Sequence, residues 1–207
     1  PQNNSSSMVQ DSQQFTQLRK HLETAVVIPE KEWHFLSNFL VTVKIPKGKH
    51  LHKIGMLCKH LWFIEKGAIK VYENIHGQER NTHFFIENSL FIDYRSVIME
   101  APSLIGFKAV EDTTVVVIEY KLLLELYDKI PLFERIGRIM AERQLLTEFD
   151  LRLFLLNMDA TQRYEHIMQN HPWIFQRFSL KDIASFIGIA PASLSRLRKF
   201  IQQGRTN

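Results

Sequence analysis

Residues 179–201, SLKDIASFIGIAPASLSRLRKFI, predict two short helices joined by a tight turn. Gly188 lies where the chain must reverse, and glycine accepts a positive φ there without steric cost. Pro191 suits the first turn of the next helix, where its missing N–H leaves no hydrogen bond unmade. Leu194 and Leu197 are three residues apart and therefore share one buried face of that helix. This spacing is typical of a helix-turn-helix, whose second helix enters the major groove of DNA.

The polar side chains of the second helix are of the kinds that contact nucleic acid. Arginine can bind guanine edges or phosphate, lysine neutralises phosphate, and serine hydroxyls hydrogen-bond to either. Together with one lysine of the first helix they form the predicted DNA-binding set: Ser193, Ser195, Arg196, Arg198, Lys199 and Lys181. The alternative is an ordinary pair of helices with a solvated basic face.

Positive charge is concentrated at the same end of the chain. Residues 176–207 contain six Lys or Arg residues and one acidic residue, Asp182, whereas the whole chain has a net charge of only +4. The preceding residues are therefore close to neutral, with a slight negative excess. A basic region confined to one end is expected of a protein that contacts nucleic acid through that end.

Length and composition bound the remaining possibilities. The 207 residues suit one large or two small domains, and 45% hydrophobic residues with 15 phenylalanines can form a sizeable core. No apolar run approaches the length of a membrane span, and a single cysteine cannot form an internal disulfide. We therefore expect a cytoplasmic protein without membrane contact. The polar residues 1–14 are expected to be a disordered tail.

Between residues 15 and 128, two short helical patterns lead into a series of short apolar stretches separated by glycine, proline and polar turns. Such stretches predict an antiparallel barrel or sandwich. Hairpins are expected at residues 65–67 and at residues 74–78. The predicted fold class is therefore α+β, with an N-terminal antiparallel β-roll of jelly-roll type, a long helix and a C-terminal helix-turn-helix.

The helical pattern over residues 129–157 carries a seven-residue repeat, which favours a helix that pairs with a second copy of itself and ends in a hinge. The predicted dimer interface consists of Ile136, Ile139, Met140, Leu146, Phe149 and Leu153. The alternative is a long helix packed on its own barrel. We expect a homodimer, because helix-turn-helix proteins usually bind two half-sites, and we expect residues 158–207 to form the DNA-binding domain.

This order of elements resembles the family of the cyclic-AMP receptor protein and the fumarate–nitrate reduction regulator. The likeness in sequence rests on six segments, of which the last three are similar to a subgroup common in Bacteroidetes-type bacteria: Ile45-Pro46-Lys47-Gly48, residues 61–72, Gly77-Gln78-Glu79, Arg163-Tyr164, residues 170–172 and Leu194-Ser195-Arg196. The resemblance implies a bacterial transcription regulator that binds double-stranded DNA as a homodimer, with RNA polymerase as a further partner. It also implies a cyclic-nucleotide-binding-like fold for the barrel. We expect no C-terminal wing, because few residues follow the second helix.

The effector pocket departs from the pattern of that family. Its cyclic-nucleotide cassette reads Gly-Glu-Leu and, further on, Arg-Ser or Arg-Thr; the glutamate holds the ribose and the arginine pairs with the cyclic phosphate. Here the matching segment is Ile92-Asp93-Tyr94, and the arginine position falls near Ser103. A buried phosphodiester needs a compensating cation. We therefore expect a degenerate pocket around Asp93, Tyr94, Arg95 and Ser103 that uses an unknown small-molecule effector, or none, rather than cyclic AMP.

Two other functions stay open: a cyclic-AMP-dependent activator with an atypical pocket, and a regulatory module of cyclic-nucleotide type that does not bind DNA. No cofactor is expected, since the lone Cys58 cannot hold an iron–sulfur cluster. His50, His52, Cys58 and His60 match no standard zinc spacing, so no metal site is predicted. The chain contains no nucleophile elbow, phosphate loop or HExxH motif, and we do not expect an enzyme.

Overall fold

The computed structural model describes residues 15–204, with side chains up to Ile201, so the predicted tail at residues 1–14 lies outside the described residues. In chain order the helices and strands are α1 (Thr16–Glu23), α2 (Glu30–Ser37), β1 (Val41–Ile45), β2 (His50–His52), β3 (His60–Lys66), β4 (Ile69–Ile75), β5 (Gln78–Phe85), β6 (Leu90–Phe91), α3 (Tyr94–Met99), β7 (Ile105–Ala109), β8 (Thr113–Glu119), α4 (Tyr120–Lys129), α5 (Pro131–Asn157), α6 (Ala160–Asn170), α7 (Trp173–Arg177), α8 (Leu180–Ile187) and α9 (Pro191–Gly204). The predicted α+β order of roll, long helix and C-terminal helices is confirmed.

The strands form two four-stranded sheets, in the orders β1-β8-β3-β6 and β2-β7-β4-β5, and every pairing is antiparallel. Side chains from both sheets meet in one apolar cluster. Trp62, Ile64 and Phe91 come from the first sheet, Val71 and Phe107 from the second, and all are almost fully buried. Because successive strand residues point to opposite faces, the alternate positions of β3 remain available to pack outside the roll.

The predicted hairpin at residues 74–78 is confirmed. β4 and β5 pair with Ile75 opposite Gln78. His76 and Gly77 between them have φ of 52° and 83°, and a two-residue hairpin that matches the twist of its strands requires positive φ at both positions. The local sequence is sufficient to specify this turn.

The hairpin predicted at residues 65–67 is wrong. β3 and β4 lie in different sheets, so the chain crosses from one sheet to the other at Gly67. Gly67 has φ 105°, and a Cβ at this position would lie 2.6 Å from the backbone of Thr113. Glycine is therefore required by the close approach of another strand, a contact that no local pattern reports.

A second apolar cluster lies outside the roll. Phe63 and Val116, on the outer faces of β3 and β8, belong to it together with Trp33 of α2, Leu126 of α4 and Phe133 of α5. Trp33 is 1% exposed. This cluster joins α1, α2, α4 and the start of α5 to the roll, while the rest of α5 extends to Asn157.

The four C-terminal helices share a third cluster. Ile167 of α6, Ile174 of α7, Ile183 of α8 and Leu194 of α9 are buried in it. Ala68, between β3 and β4, is the buried residue that the roll contributes. Among the described residues no helix is both long enough and apolar enough to cross a membrane.

Candidate nucleic-acid interface and effector cleft

α8 and α9 are held in register by features visible in the sequence. The side chain of Ser179 accepts a hydrogen bond from the N–H of Asp182 and so caps the start of α8. Gly188, with φ 81°, ends that helix. Ala184 and Leu194 have no exposed surface, because α8 and α9 pack against each other there. The predicted pair of helices and its turn are present.

The predicted DNA-binding residues differ in exposure. Ser195, Arg196 and Lys199 on α9 are exposed, as is Lys181 on α8. Ser193 is half-buried, and its Oγ accepts a hydrogen bond of 3.4 Å from Nη2 of Arg196. Two cations of α9, Arg196 and Lys199, and the Ser195 side chain are therefore accessible to a large partner.

Two further residues of α9 behave unexpectedly. Arg198 is half-buried, and its Nε is buried without a hydrogen-bond partner among the described residues. Phe200 is 74% exposed, and it was not among the predicted DNA-binding residues. Phe200 follows Arg196 by four residues, so the two share a helix face. That spacing was readable from the sequence, but the burial of Arg198 was not.

The start of α8 is docked on β5 of the roll. A bulge in β5 shifts its register between Asn81 and His83, and the N–H of Asn81 donates instead to Oγ of Ser185 over 3.0 Å. The Asn81 amide donates to both the carbonyl and a carboxylate oxygen of Asp182. Nζ of Lys70 lies 2.7 Å from the same carboxylate. The roll and the C-terminal helices thus share one hydrogen-bonded cluster.

Asp182 is ionised in this cluster. Burial alone would raise its pKa, but the Lys70 ammonium and hydrogen bonds from Ser179 and Asn81 outweigh burial and hold the pKa below its ordinary value. Asp182 therefore links one helix, α8, to two strands, β4 and β5. In the sequence Asp182 stands out only as the single acidic residue of residues 176–207, because Lys70 is 112 residues away.

A second charged contact fastens α7 to the roll. Arg177 donates to both carboxylate oxygens of Glu87, at 2.5 and 3.0 Å, and to Glu111. The hydrogen bonds from Arg177 lower the pKa of Glu87 to about 2, with a further donation from the N–H of Gly67. Glu87 and Glu111 also hold the pKa of Arg177 above its ordinary value. This bidentate geometry fixes the orientation of α7.

The four residues predicted to surround an effector do not form one cavity. Asp93 is buried: one carboxylate oxygen accepts from the N–H of Ser96, and the other lies 2.5 Å from Oγ of Ser103. Asp93 therefore caps α3 and holds the following loop. Arg95 is exposed, and its nearest acceptor is the carbonyl of Pro102 at 3.5 Å. Of the predicted four, only Tyr94 lines a cavity: it borders the cavity of about 300 Å³ beside α1 and α4, and also a small cleft beside the middle of α5.

That cleft separates the interior face of the roll from the middle of α5. Its volume is about 80 Å³, well below the roughly 300 Å³ of typical ligand pockets. Its charged and polar lining consists of His83, Gln144 and Glu148, and no Lys or Arg lines it. Nε2 of His83 lies 3.1 Å from a carboxylate oxygen of Glu148. This hydrogen bond is the main reason that the pKa of Glu148 lies below its ordinary value. Among the described residues that line this cleft, the only charged pair is therefore His83 with the carboxylate of Glu148.

The six predicted dimer residues occupy two environments. Leu146, Phe149 and Leu153 are between 53% and 64% exposed. Ile136, in contrast, is 4% exposed and belongs to the cluster of α1, α2 and α4, so its inclusion in a dimer interface is corrected. Met140 is half-buried and packs against the same cluster. The heptad pattern is common to both uses of α5, so only packing could separate them.

Ile139 is half-buried and continues the exposed row toward the start of α5. Leu156, 69% exposed, extends the row at the other end, although it was not in the predicted interface. With Leu146, Phe149 and Leu153 these residues form the α5 stripe. The spacing from Leu146 to Leu156 alternates three and four residues, as in a coiled coil.

The histidines and cysteine weighed as metal ligands have other surroundings. His52 is buried between Trp62 and Phe107, with ring centroids 6.0 and 5.9 Å away. Burial raises the pKa of the Cys58 thiol, whose Sγ donates to the carbonyl of His60 over 3.5 Å. Within residues 15–204, no group of three or more His, Cys, Asp or Glu side chains is placed to hold a metal ion.

Comparisons with known proteins support this architecture. Residues 42–129 match the family model of the cyclic nucleotide-binding domain. No curated protein shows detectable similarity to the chain. Among solved structures, FixK2 from Bradyrhizobium japonicum is 16% identical, with a TM-score of 0.65 over 80% of this chain and 85% of that chain.

Two named regulators also match. The catabolite activator protein of Thermus thermophilus is 20% identical, with a TM-score of 0.52 over 89% of this chain and 87% of that one. The c-di-GMP-responsive global regulator CLP of Xanthomonas campestris is 16% identical, with a TM-score of 0.61 over 81% and 88%. Neither is named as an enzyme. The chain therefore has the fold of these regulators: a domain of cyclic nucleotide-binding type, a long helix and C-terminal helices.

Proposed function

We propose that this protein is a sequence-specific DNA-binding transcription regulator. The observation that carries the proposal is the arrangement of α9, which buries Leu194 and presents Ser195, Arg196 and Lys199 to solvent. A helix with one face anchored and a basic polar face free can enter the major groove, where Arg reads guanine and Lys neutralises phosphate. The concentration of positive charge at this end of the chain agrees with that role.

The proposed regulator is a homodimer joined through the α5 stripe. Leu146, Phe149, Leu153 and Leu156 are all more than half exposed, which is unfavourable for a lone chain in water. A second copy of α5 offers the same heptad spacing and would cover them. Two α9 helices would then bind a pseudo-palindrome with half-sites about one helical turn apart.

The proposed regulator does not respond to cyclic AMP. The cleft beside α5 is small, lacks Lys and Arg, and contains Glu148. A cyclic phosphate placed there would lose its hydration without gaining a cation. Contact with RNA polymerase and a cytoplasmic location remain predictions from the resemblance.

A cyclic-AMP-dependent activator is the second candidate, and the match of residues 42–129 to the cyclic nucleotide-binding domain favours it. That candidate requires a cation in the cleft, which none of the lining residues supplies. The third possibility, a regulatory module that does not bind DNA, would leave the exposed basic face of α9 without a partner.

Selection of genomic DNA fragments by the purified full-length protein tests the proposal. The selection is run at two salt concentrations, with and without cyclic AMP. We expect a palindrome to be enriched without nucleotide, with a steep loss at higher salt. Enrichment only with cyclic AMP would establish the second candidate, and no enrichment in any condition would contradict DNA binding.

A further inference from the structure

The strongest unassigned feature is a cleft of about 330 Å³ at the junction of the roll and the C-terminal helices. Its walls come from β5, the middle of α5, and α6, α7 and α8. It adjoins the small cleft on the interior face of the roll, with which it shares His83 and Phe85, and its volume reaches the range of small-molecule pockets. We propose that this junction cleft binds a small, flat, uncharged aromatic molecule that carries a hydroxyl group.

Aromatic side chains form much of the lining of the junction cleft. Phe84, Phe154, Trp173 and Phe186 line the cleft, and each is only half-buried in the described chain. Phe84 and Phe186 have ring centroids 5.1 Å apart, and Phe154 and Phe186 are nearly parallel at 6.0 Å. The parts of these rings that remain exposed can contact an aromatic guest and remove further apolar surface from water.

The polar lining selects the guest. His166 and His171 lie side by side, with ring centroids 6.0 Å apart. Among the described residues, Nε2 of His166 and both ring nitrogens of His171 have no hydrogen-bond partner. Asp150 also lines the cleft, and no Lys or Arg does. An anion would meet Asp150 without a compensating cation, whereas a hydroxyl group can donate to the carboxylate and accept from an imidazole.

Occupancy of this cleft is coupled to docking of the C-terminal helices, because the walls belong to both parts. A guest between β5 and α8 adds to the contacts that Arg177 and Asp182 already make with the roll. By linkage, a change that loosens the docking must weaken binding of the guest, and bound guest must strengthen the docking by the same factor. An effect on DNA affinity rests on the proposed function; binding of the guest does not.

Equilibrium dialysis of the full-length protein with 2-naphthol tests the site, with 2-naphthoate as the anionic control of the same ring system. We expect one 2-naphthol per chain and at least about tenfold weaker binding of 2-naphthoate. Equal or tighter binding of 2-naphthoate, or no binding of 2-naphthol at millimolar concentration, would overturn the proposal.

Two substitutions on α5 locate the guest. Leu151→Trp fills the junction cleft, and Ala141→Leu adds bulk to the separate apolar cavity of about 300 Å³ beside α1 and α4. We expect Leu151→Trp to abolish 2-naphthol binding and Ala141→Leu to leave it unchanged; the reverse pattern would place the guest elsewhere. If Leu151→Trp does not fold, Thr147→Phe at the exposed rim of the cleft gives the same test.

The histidines are tested by exchanging their rings. A His166→Phe, His171→Phe double variant keeps two aromatic rings but removes the N–H groups. We expect 2-naphthol to bind about fivefold more weakly while naphthalene is unaffected. Equal losses for both guests would mean that the histidines act by shape alone and would overturn the assigned hydroxyl recognition.

The coupling has its own readouts. Arg177→Met, which loosens docking, should weaken 2-naphthol binding; unchanged binding would overturn the coupling. Saturating 2-naphthol should in turn change the affinity for a selected DNA site. If 2-naphthol binds but no DNA is selected, the proposed function is wrong and the proposed binding site is supported. If DNA is selected but 2-naphthol does not bind, the proposed function is supported and the proposed binding site is wrong.

Discussion

The roll is joined to the rest of the chain by two junctions, one apolar and one that adds ion pairs to apolar contacts. On one side, α1, α2, α4 and the start of α5 pack through an apolar cluster that includes Trp33, Phe63 and Phe133.

On the other side, α7 and α8 are held by charged hydrogen bonds from Lys70 and Arg177 together with apolar contacts of Phe84 with Phe178 and Phe186. We call this side the polar junction, because it contains ion pairs between the roll and the helices. Apolar burial is not screened by salt, whereas ion pairs at a partly wetted junction respond to salt and pH.

The difference leads to an expectation about stability. We expect α1 to the first half of α5 to unfold together with the roll, and the C-terminal helices to be released from it at lower cost. Such a division suits a protein in which DNA-binding helices change position.

Trp33→Ala should destabilise the whole roll. Trp33 is 1% exposed in the apolar junction, and its truncation leaves a large cavity. We expect a loss of about 3–5 kcal/mol in the free energy of unfolding. Urea unfolding followed by circular dichroism measures it, and Val27→Ala, at a residue 76% exposed, is the control. A loss confined to the N-terminal helices would show that this junction too is separable.

Leu146→Lys should separate the dimer while leaving both junctions intact. A lysine in the middle of the α5 stripe would be buried against the partner without a counter-ion, and we expect the dimer dissociation constant to rise at least about a hundredfold. Analytical ultracentrifugation measures the mass. Leu124→Lys, at an exposed residue of α4 away from the stripe, is the control. An unchanged mass would remove the α5 stripe from the proposed interface.

Arg177→Met should release the C-terminal helices from the roll without unfolding it. The substitution leaves Glu87 and Glu111 without their cation, and we expect the docking to weaken by about 1–3 kcal/mol. Hydrogen exchange should accelerate in α7 and α8 but not in β3 or β8. Lys181→Met removes an exposed cation of the same region and is the control: it should leave hydrogen exchange unchanged both in α7 and α8 and in β3 and β8. Uniform acceleration through the roll would contradict the comparison.

Arg196→Ala should affect DNA binding alone. If this exposed arginine reads a base, we expect a loss of about 1–3 kcal/mol on the selected site and a relaxed preference at one position. Binding assays on matched and mismatched sites give both quantities. Equal losses on every sequence would instead make Arg196 a phosphate contact, and Lys199→Ala provides the reference for that behaviour.

Acid should weaken the polar junction before the apolar one. The pKa of Glu87 is about 2 in the folded chain against an ordinary 4.5, so its contribution to docking is present above pH 4.5 and is lost as pH falls toward 2. Asp182, whose pKa is also lowered, acts in the same direction. Hydrogen exchange in α7 and α8 between pH 5 and 3 measures the loss, and Glu87→Gln should flatten it. A profile unchanged by this variant would exclude Glu87 as the cause.

The candidate site was predictable in the parts that depend on neighbouring residues. Gly188, Ser179 and the exposed Arg196 follow from turn, cap and helix-face rules that act over four residues or fewer. No local rule predicts that Asp93 and Ser103 meet across a loop and satisfy each other. In sequence, a polar residue that would bind an effector cannot be distinguished from one that forms hydrogen bonds within its own chain.

By itself the sequence determined the order of helices and strands, the hairpin at residues 74–78 and the pair α8–α9, because propensities, turns and hydrophobic periods are local. Only the tertiary structure decided that Gly67 crosses between sheets, that Ile136 is buried within its own chain, and that Asp182 binds Lys70. These outcomes depend on groups brought together from distant parts of the chain, where packing and charge pairing choose among arrangements that the local pattern allows equally.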